Sequence, residues 1–244
     1  MKINSNFFSN KKILVYGLGK SGLSVYNFLK KKNDISIYDD TPSNIIKIDL
    51  KKKLISYRNL YKTKFDIIIL SPGVNIHKCK LSKFLKKNCD KIYSDLDIFF
   101  SFFKNNCITI TGTNGKSTTC QLLYKVLLNQ KFDVRLVGNI GYPILSEKRI
   151  KKKTIFVIEA SSYQLENSKI FKSKYAVILN LSPDHLERHK TIGNYVKAKF
   201  KLLKNQPKDS IAFVKKRDFL IKKELKLHNF KSKIIKVDNK ISNN

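Results

Sequence analysis

A lysine and a serine follow two glycines in a segment whose residue types could hold a phosphate group. Residues 108–118, ITITGTNGKST, combine an apolar strand-like run, a loop bracketed by Gly112 and Gly115, and the start of a helix. The N–H groups of such a loop can surround a phosphate, Lys116 can reach the outer phosphates, and the serine hydroxyl can hold Mg²⁺. Ile110 stands where the usual pattern has its first glycine. A chance turn before Lys-Ser is the alternative, which the preceding apolar run disfavours.

A second glycine pattern lies near the N-terminus. Residues 17–22, GLGKSG, form a G-x-G-x-x-G pattern between an apolar run and a helix-like run. Glycines there let the backbone approach a diphosphate at a helix N-terminus. Asp39 follows Gly17 by 22 residues, where a carboxylate can accept a hydrogen bond from a ribose hydroxyl. The pattern indicates a diphosphate nucleotide without saying which one, and a glycine turn without a ligand is the alternative.

Glu159 ends an apolar run in the sequence FVIEASSYQLE. A carboxylate at the same end of a parallel sheet as the phosphate loop is a natural Mg²⁺ ligand. The alternative is a helix N-terminus, with Ser161 or Ser162 capping a helix over 165–169. Both interpretations can hold together.

Two histidines, His185 and His189, are four residues apart in NLSPDHLERH. The spacing alone suggests a two-histidine metal site, but the glutamate of a zinc-protease motif is absent from it. One histidine could face the phosphate loop. The alternative is a pair of exposed histidines beside a capped helix with Asp184 in its first turn.

Short apolar runs alternate with longer amphipathic runs, which is typical of βαβ units and a parallel sheet. The predicted strands are Lys12–Tyr16, Ile35–Tyr38, Phe65–Leu70, Lys91–Ser94, Cys107–Thr111, Val134–Val137, Thr154–Glu159, Tyr175–Asn180 and Ser210–Val214. The predicted helices are Gly22–Lys31, Leu81–Lys87 and Lys116–Asn129, with one more from near Asp95 through Phe102 and another near Ile192–Lys204. We predict an α/β fold, with a Rossmann-like domain at 1–94 and a P-loop-type, mostly parallel-sheet domain at 95–244. The last 25 residues are Lys-rich and weakly patterned.

The composition argues against a specific nucleic-acid-binding protein and against a membrane-spanning protein. The net charge is +32, which suggests a polyanionic partner. However, 45 of the 50 basic residues are scattered lysines, as codon bias would produce, so we expect no specific nucleic-acid binding. The longest aliphatic run, Ile67–Leu70, is far short of the roughly 20 residues of a membrane span. The N-terminus lacks a signal peptide, so a cytoplasmic protein without membrane insertion is expected.

Taken together, these motifs resemble the Mur ligase family. The resemblance rests on GLGKSG, on Ser71-Pro72-Gly73, on Gly138-Asn-Ile-Gly141, on GTNGKST, on EASSYQLE and on NLSPDHLERH. It extends from Lys12 to about Val214, in matching order and spacing. Ser94 is a departure, because family members usually have glycine at that position.

The resemblance implies an ATP-dependent amide ligase of peptidoglycan precursor synthesis that acts as a monomer. Its implied substrates are UDP-N-acetylmuramoyl-L-alanine, D-glutamate and ATP, and its implied cofactor is Mg²⁺. The γ-phosphate would move to the L-alanine carboxylate, and the D-glutamate amine would attack the acyl phosphate. The implied ATP-binding residues are Gly112, Thr113, Asn114, Gly115, Lys116, Ser117 and Thr118. The implied substrate-binding residues are Gly17, Gly19, Ser21, Gly22, Asp39, Ser71, Pro72, Gly73, Asn139, Ser161 and Gln164.

The resemblance also implies three catalytic residues: Lys116, His185 and Lys199. The implied metal ligands are Ser117, Glu159, His185 and Lys199. Lys199 would act as a carbamate, since an ammonium repels Mg²⁺ whereas a carbamate offers anionic oxygens. Lys197 and Lys201 flank it, so the assignment among the three depends on the alignment.

Family members have a third domain that binds the incoming amino acid, whereas this chain ends in or near the second. We therefore expect a fragment or a truncated gene product that does not complete ligation alone. Three alternatives stay open: an NAD-dependent oxidoreductase, a non-catalytic nucleotide-binding remnant, and a basic nucleic-acid-binding protein. The oxidoreductase would leave the Lys116 loop unexplained.

Overall fold

A computed structural model of the chain describes residues 5–41 and 48–238. Its contacts form two compact units. Unit 1 comprises Met1–Lys104, Pro143–Lys148 and Asn167–Phe171. Unit 2 comprises Asn105–Tyr142, Arg149–Glu166 and Lys172–Asn244. Each unit has its own sheet, in which all pairings between named strands are parallel. The predicted α/β, mostly parallel fold class is confirmed.

Unit 1 is built on a four-stranded sheet. Its strands are β1 (Lys12–Tyr16), β2 (Asp34–Tyr38), β3 (Ile67–Leu70) and β4 (Ile92–Tyr93). Its helices are α1 (Lys20–Leu29), α2 (Ile48–Lys51), α3 (Tyr57–Lys62), α4 (Ser82–Lys87) and α5 (Asp95–Phe102). The strand order is β2-β1-β3-β4. The sequence of β3, IIIL, is buried throughout, as expected for a parallel strand covered on both faces.

Unit 2 is built on a six-stranded sheet. Its strands are β5 (Cys107–Thr111), β6 (Val134–Gly138), β7 (Ile155–Glu159), β8 (Tyr175–Ile178), β9 (Ile211–Lys215) and β10 (Lys233–Val237). Its helices are α6 (Lys116–Asn129), α7 (Ser162–Asn167), α8 (Leu186–His189), α9 (Ile192–Lys204) and α10 (Phe219–Leu227). The strand order is β10-β9-β8-β5-β7-β6. Because β5 lies between β7 and β8, the loop that follows β5 is close to the segments that follow both neighbours.

Strands β1 and β5 and helix α6 are confirmed with their bounds, and helices α5 and α9 lie where the sequence predicted them approximately. Other predicted strands and helices differ by a few residues at their ends. Helix α7 begins at Ser162 rather than at 165, since Ser161 precedes it as a cap. Helices α2, α3 and α8 were not predicted, and neither were α10 and β10 in the Lys-rich tail.

Helix α5 belongs to unit 1 by its contacts, whereas the sequence-based division at residue 94/95 groups it with the second domain. The buried carboxylate of Asp97, on α5, connects residues 169–171 to this helix. Its Oδ1 accepts hydrogen bonds from the N–H groups of Lys169 (3.0 Å), Ile170 (2.8 Å) and Phe171 (3.0 Å). Its Oδ2 accepts from the N–H of Ser94 at 3.0 Å. One side chain thus caps α5 and also holds residues 169–171 on unit 1.

No helix in the described part of the chain is both long enough and apolar enough to cross a membrane.

Asp97→Ala should lower the free energy of unfolding by at least about 3 kcal/mol. The reason is that each buried N–H left without an acceptor costs about 1–3 kcal/mol. Asp90→Ala is the matched control, because Asp90 is an exposed aspartate of the same unit. That change should stay within about 0.5 kcal/mol. Urea unfolding of both variants measures the difference, and equal losses would contradict the role given to Asp97.

Candidate functional site

The phosphate loop, residues 112–115, joins the end of β5 to the start of α6. Gly115 directly precedes the helix with a φ of +80°, a conformation that a residue with a Cβ rarely adopts. No side chain of the described residues caps this helix end, so its first N–H groups can receive an anion. Ser117 and Thr118 are exposed on the first turn.

Residues that follow β8, together with Tyr195 of α9, fix the loop in place. The Asn180 side chain accepts from the Asn114 N–H at 2.9 Å and donates to its carbonyl at 3.0 Å. The Thr113 N–H donates to the Asn180 carbonyl at 2.9 Å. The Thr113 hydroxyl lies 2.9 Å from the Tyr195 hydroxyl and accepts from the Ser182 N–H at 3.0 Å. Asn180 and Tyr195 were not predicted as site residues, although a polar residue just after a neighbouring parallel strand is the signal that could have found Asn180.

Lys116 begins α6 and folds back over the loop. Its Nζ donates to the Thr113 carbonyl at 2.7 Å. The side chain is only half-buried, and a phosphate bound by the loop would offer the ammonium a stronger, charged acceptor.

Glu159 ends β7, the strand paired with β5, and is 1% exposed. Its Oε1 accepts from the Asn139 side-chain amide at 2.8 Å. Its Oε2 is buried and has no hydrogen-bond partner among the described residues. A buried carboxylate oxygen without a partner is costly unless a cation or a donor meets it. The arrangement therefore fits a hard cation at this oxygen.

Lys199 lies on α9 and is 2% exposed. Its Nζ donates to the Gly112 carbonyl at 2.8 Å and to the Thr111 hydroxyl at 3.3 Å. Burial, and then the neighbouring ammonium of Lys116, lower the pKa of Lys199 from 10.5 to about 7. Lys197 is exposed, and Lys201 donates instead to the Glu166 carbonyl. Of these three lysines, Lys199 is the one that contacts the phosphate loop.

The two histidines occupy different surroundings. The His185 side chain is 46% exposed, with Nε2 3.4 Å from Asp184 and Nδ1 3.7 Å from Glu187. His189 is buried, and its Nε2 lies 3.0 Å from the Ser162 hydroxyl. The pair therefore does not form the two-histidine site that the spacing suggested. Within residues 5–41 and 48–238, no three or more His, Cys, Asp or Glu side chains are grouped to hold a metal.

Ser161 and Gln164 bond to each other at the start of α7. Gln164 Oε1 accepts from the Ser161 N–H at 3.2 Å, and the Ser161 hydroxyl accepts from the Gln164 N–H at 3.2 Å. The helix-capping alternative thus holds for Ser161. Gln164 is buried and Ser161 is half-buried. The hydrogen bonds of the capped turn therefore hold both side chains in fixed positions.

The glycine loop of unit 1 is held by side chains that follow β2 and β3. Asp39 accepts from the Leu18 N–H at 2.7 Å and from the Thr41 N–H at 2.9 Å. The Ser71 hydroxyl donates to the Gly17 carbonyl at 2.6 Å. A Cβ at Gly22 would lie 1.8 Å from that same carbonyl, so only glycine fits. The structure therefore uses Asp39 and Ser71 to shape the loop.

The remaining predicted residues of unit 1 border an open surface. A Cβ added at Gly19 or Gly73 would meet nothing within 4 Å among the described residues. Gly19 precedes α1 without a side-chain cap. Ser21, in the first turn of α1, and Pro72, between Ser71 and Gly73, are half-buried. The N-terminus of α1 is thus accessible to an anion.

Two family matches identify the chain as a member of a class of ligases. Residues 110–243 match the Mur ligase middle domain and residues 11–92 match the Mur ligase MurD-like N-terminal domain. The chain belongs to the Mur ligase family. The UDP-N-acetylmuramate:L-alanyl-gamma-D-glutamyl-meso-diaminopimelate ligase from Neisseria meningitides shares its fold, with a TM-score of 0.58, 17% identity and coverage of 93% of this chain and 78% of that one.

Among sequence relatives, similar proteins are named UDP-N-acetylmuramoylalanine–D-glutamate ligase. The one from Rickettsia felis is 39% identical, with coverage of 86% of this chain and 47% of the relative. The one from Caldicellulosiruptor bescii is 40% identical, with coverage of 80% and 45%. The chain spans about half the length of the curated relatives it matches.

The free energy of unfolding of the wild-type chain minus that of Lys199→Met should rise with pH between about 7 and about 10. In this window the unfolded chain keeps a proton on Lys199 that the folded chain has lost, because folding lowers the pKa. The free energy of unfolding then increases by up to about 1.4 kcal/mol for each pH unit. Denaturant unfolding in carbon-dioxide-free buffer measures the difference. Lys197→Met, at an exposed lysine, is the control. If the difference between wild type and Lys199→Met changes with pH no more than the difference between wild type and the control, the lowered pKa of Lys199 is contradicted.

Proposed function

We propose that this chain forms the UDP-substrate-binding and ATP-binding parts of an enzyme that joins D-glutamate to UDP-N-acetylmuramoyl-L-alanine. The observation that carries the proposal is the meeting of a phosphate loop and Lys199 on one edge of the unit 2 sheet, with the Lys199 ammonium on the Gly112 carbonyl. The names of the sequence relatives support the choice of substrates.

ATP would bind with its phosphates on residues 112–118. A cleft of about 320 Å³ adjoins the loop, and its lining includes Asn114, Thr119, Leu179 and Phe213. Its mixed polar and apolar lining suits the rest of a nucleotide. Lys116 would leave the Thr113 carbonyl and neutralise charge that develops on the transferred phosphoryl group.

The donor set fits Mg²⁺, the cofactor that the family implies. Glu159, with its partnerless Oε2, and the hydroxyl of Ser117 would hold one ion, and His185 and a carbamylated Lys199 would hold another. Bound Mg²⁺ would reduce the repulsion between the substrate carboxylate and the ATP phosphates. Asn139, bonded to Glu159 Oε1, would orient that carboxylate and could also contact the muramoyl-alanine arm together with Ser161 and Gln164.

The chemistry of Lys199 supports its carbamylation. With a pKa of about 7, a large share of the side chain is a neutral amine near neutral pH. The amine lone pair would attack carbon dioxide, forming an N–C bond and releasing one proton. The product is an anionic oxygen donor in place of a cation.

The reaction would proceed in two transfers. The γ-phosphoryl group of ATP moves to the L-alanine carboxylate, giving ADP and an acyl phosphate. The D-glutamate amine then attacks the acyl carbon, phosphate leaves, and the amine loses a proton as the amide forms. In unit 1, the open N-terminus of α1 would take the uridine diphosphate, while Asp39 and Ser71 keep the loop in shape.

Lys116→Ala should weaken the binding of Mg–ADP at least about tenfold and leave the binding of UDP-N-acetylmuramoyl-L-alanine unchanged. In this proposal Lys116 touches only the nucleotide phosphates, and one charge-assisted contact is worth about 1.5–3 kcal/mol. Calorimetry with each ligand measures both affinities. Lys125→Ala, an exposed lysine on the same helix, is the control.

Unchanged ADP affinity in Lys116→Ala would overturn the phosphate-loop assignment. NAD that displaces the UDP-sugar would instead favour an oxidoreductase.

Incubation with ¹³C-bicarbonate should give a carbamate resonance in the ¹³C NMR spectrum of the wild-type chain. Because Lys199 combines burial with a pKa of about 7, the signal should vanish in Lys199→Ala and persist in Lys197→Ala. A signal that disappears in Lys197→Ala, or stays in Lys199→Ala, would show that another lysine is modified.

A further inference from the structure

Unit 1 contains a cleft at the opposite edge of its sheet from the glycine loop. The cleft has a volume of about 680 Å³ and is lined by residues of α3 and α4 and of the segments before β3 and β4. Those segments lead into the amino ends of the strands, whereas residues 17–22 follow the carboxyl end of β1. In a parallel sheet these are opposite edges, so the proposed UDP site does not use this cleft.

The charge of the cleft is one-sided. Five lysines line it, at positions 62, 64, 83, 87 and 91, and no acidic side chain of the described residues joins them. Helices α3 and α4 both end here, and each helix C-terminus contributes about half a negative charge. Two helix ends therefore offset about one of the five positive charges. The remaining excess of about four charges calls for an anion with several negative groups.

An aromatic surface lies beside these lysines. Tyr57 and Tyr61 are 52% and 45% exposed. Their ring centroids are 5.0 Å apart and their hydroxyls are 3.3 Å apart. The edge of Phe84, which is buried, supports Tyr61 at a centroid distance of 5.5 Å. The two rings are thus held in place with part of their surface open to a flat ligand.

We propose that this cleft binds single-stranded nucleic acid without sequence preference. A base would pack on Tyr57 and Tyr61, and successive phosphates would lie along Lys83, Lys87 and the lysines opposite. Stacking on aromatic rings combined with a basic groove is the general means of binding single strands. A polymer fits better than a nucleoside monophosphate, because one monophosphate carries too little charge to balance the cleft. The amino-acid sequence leads us to expect no specific nucleic-acid binding. Binding that does not depend on the base sequence is compatible with that expectation.

The test is fluorescence anisotropy with a labelled oligothymidylate, using the 244-residue chain with saturating Mg–ADP and UDP to fill other nucleotide sites. Lys83→Gln/Lys87→Gln is compared with Lys151→Gln/Lys152→Gln, which removes two exposed lysines of unit 2. The first pair should reduce the slope of log affinity against log salt by about 0.7 for each phosphate that the protein no longer neutralises. The second pair should leave the slope unchanged. Tyr57→Leu/Tyr61→Leu should weaken binding about tenfold at an unchanged slope.

Matched thermal unfolding curves would show that the variants remain folded. Equal slope changes in the two lysine pairs would mean that diffuse charge binds the strand, and would overturn the proposal. Absence of binding, or an unchanged affinity in the tyrosine variant, would also overturn it. Thymidine monophosphate that competes as strongly as the oligonucleotide would identify a mononucleotide site instead. None of these outcomes depends on the ligase function, whose failure would appear in the ADP and UDP-sugar measurements.

Discussion

The parallel pairing of β5 with β7 and β8 places Glu159 and Asn180 on either side of the phosphate loop. In this register Ile110 pairs with Glu159 and Thr111 pairs with Ile178. The loop that leaves β5 therefore has the Glu159 carboxylate on one side and Asn180 on the other. Helix α9 covers this edge and contributes Lys199, whose ammonium would be costly to bury without the carbonyl and hydroxyl that it meets.

The two glycine loops follow one structural rule. In unit 1, Asp39 and Ser71 follow β2 and β3 and bond to backbone groups of the loop. In unit 2, Asn180 follows β8 and bonds to Asn114. In each unit, side chains just beyond the neighbouring strands bond to the loop backbone, whereas the first N–H groups of the helix stay uncapped and open to an anion. The anion-binding groups are thereby fixed before a ligand arrives, which reduces the ordering cost of binding.

The bounds of strands and helices could be predicted from the sequence where apolar runs are bounded by glycine and polar residues. Strand β5 and helix α6 could be predicted with their bounds because Gly112–Gly115 separates them. Helix α10 and strand β10 could not, because their many lysines hide the apolar period and only Ile221 and Glu224 of α10 are buried. Lys199 was found through the family resemblance. Tyr195 was missed because it meets Thr113 across 82 residues of sequence, a proximity that only the fold creates.

Unit 1 is discontinuous in the chain, and this has a consequence for synthesis. Its last segment, Asn167–Phe171, donates the hydrogen bonds that the Asp97 carboxylate accepts, and it is translated after the first strands of unit 2. At about 5–20 residues per second, the ribosome needs several seconds to proceed from Lys104 to Phe171. During that interval the Asp97 carboxylate lacks the N–H partners of 169–171. The first unit to be synthesised therefore completes its hydrogen bonding only after part of the second unit has been synthesised.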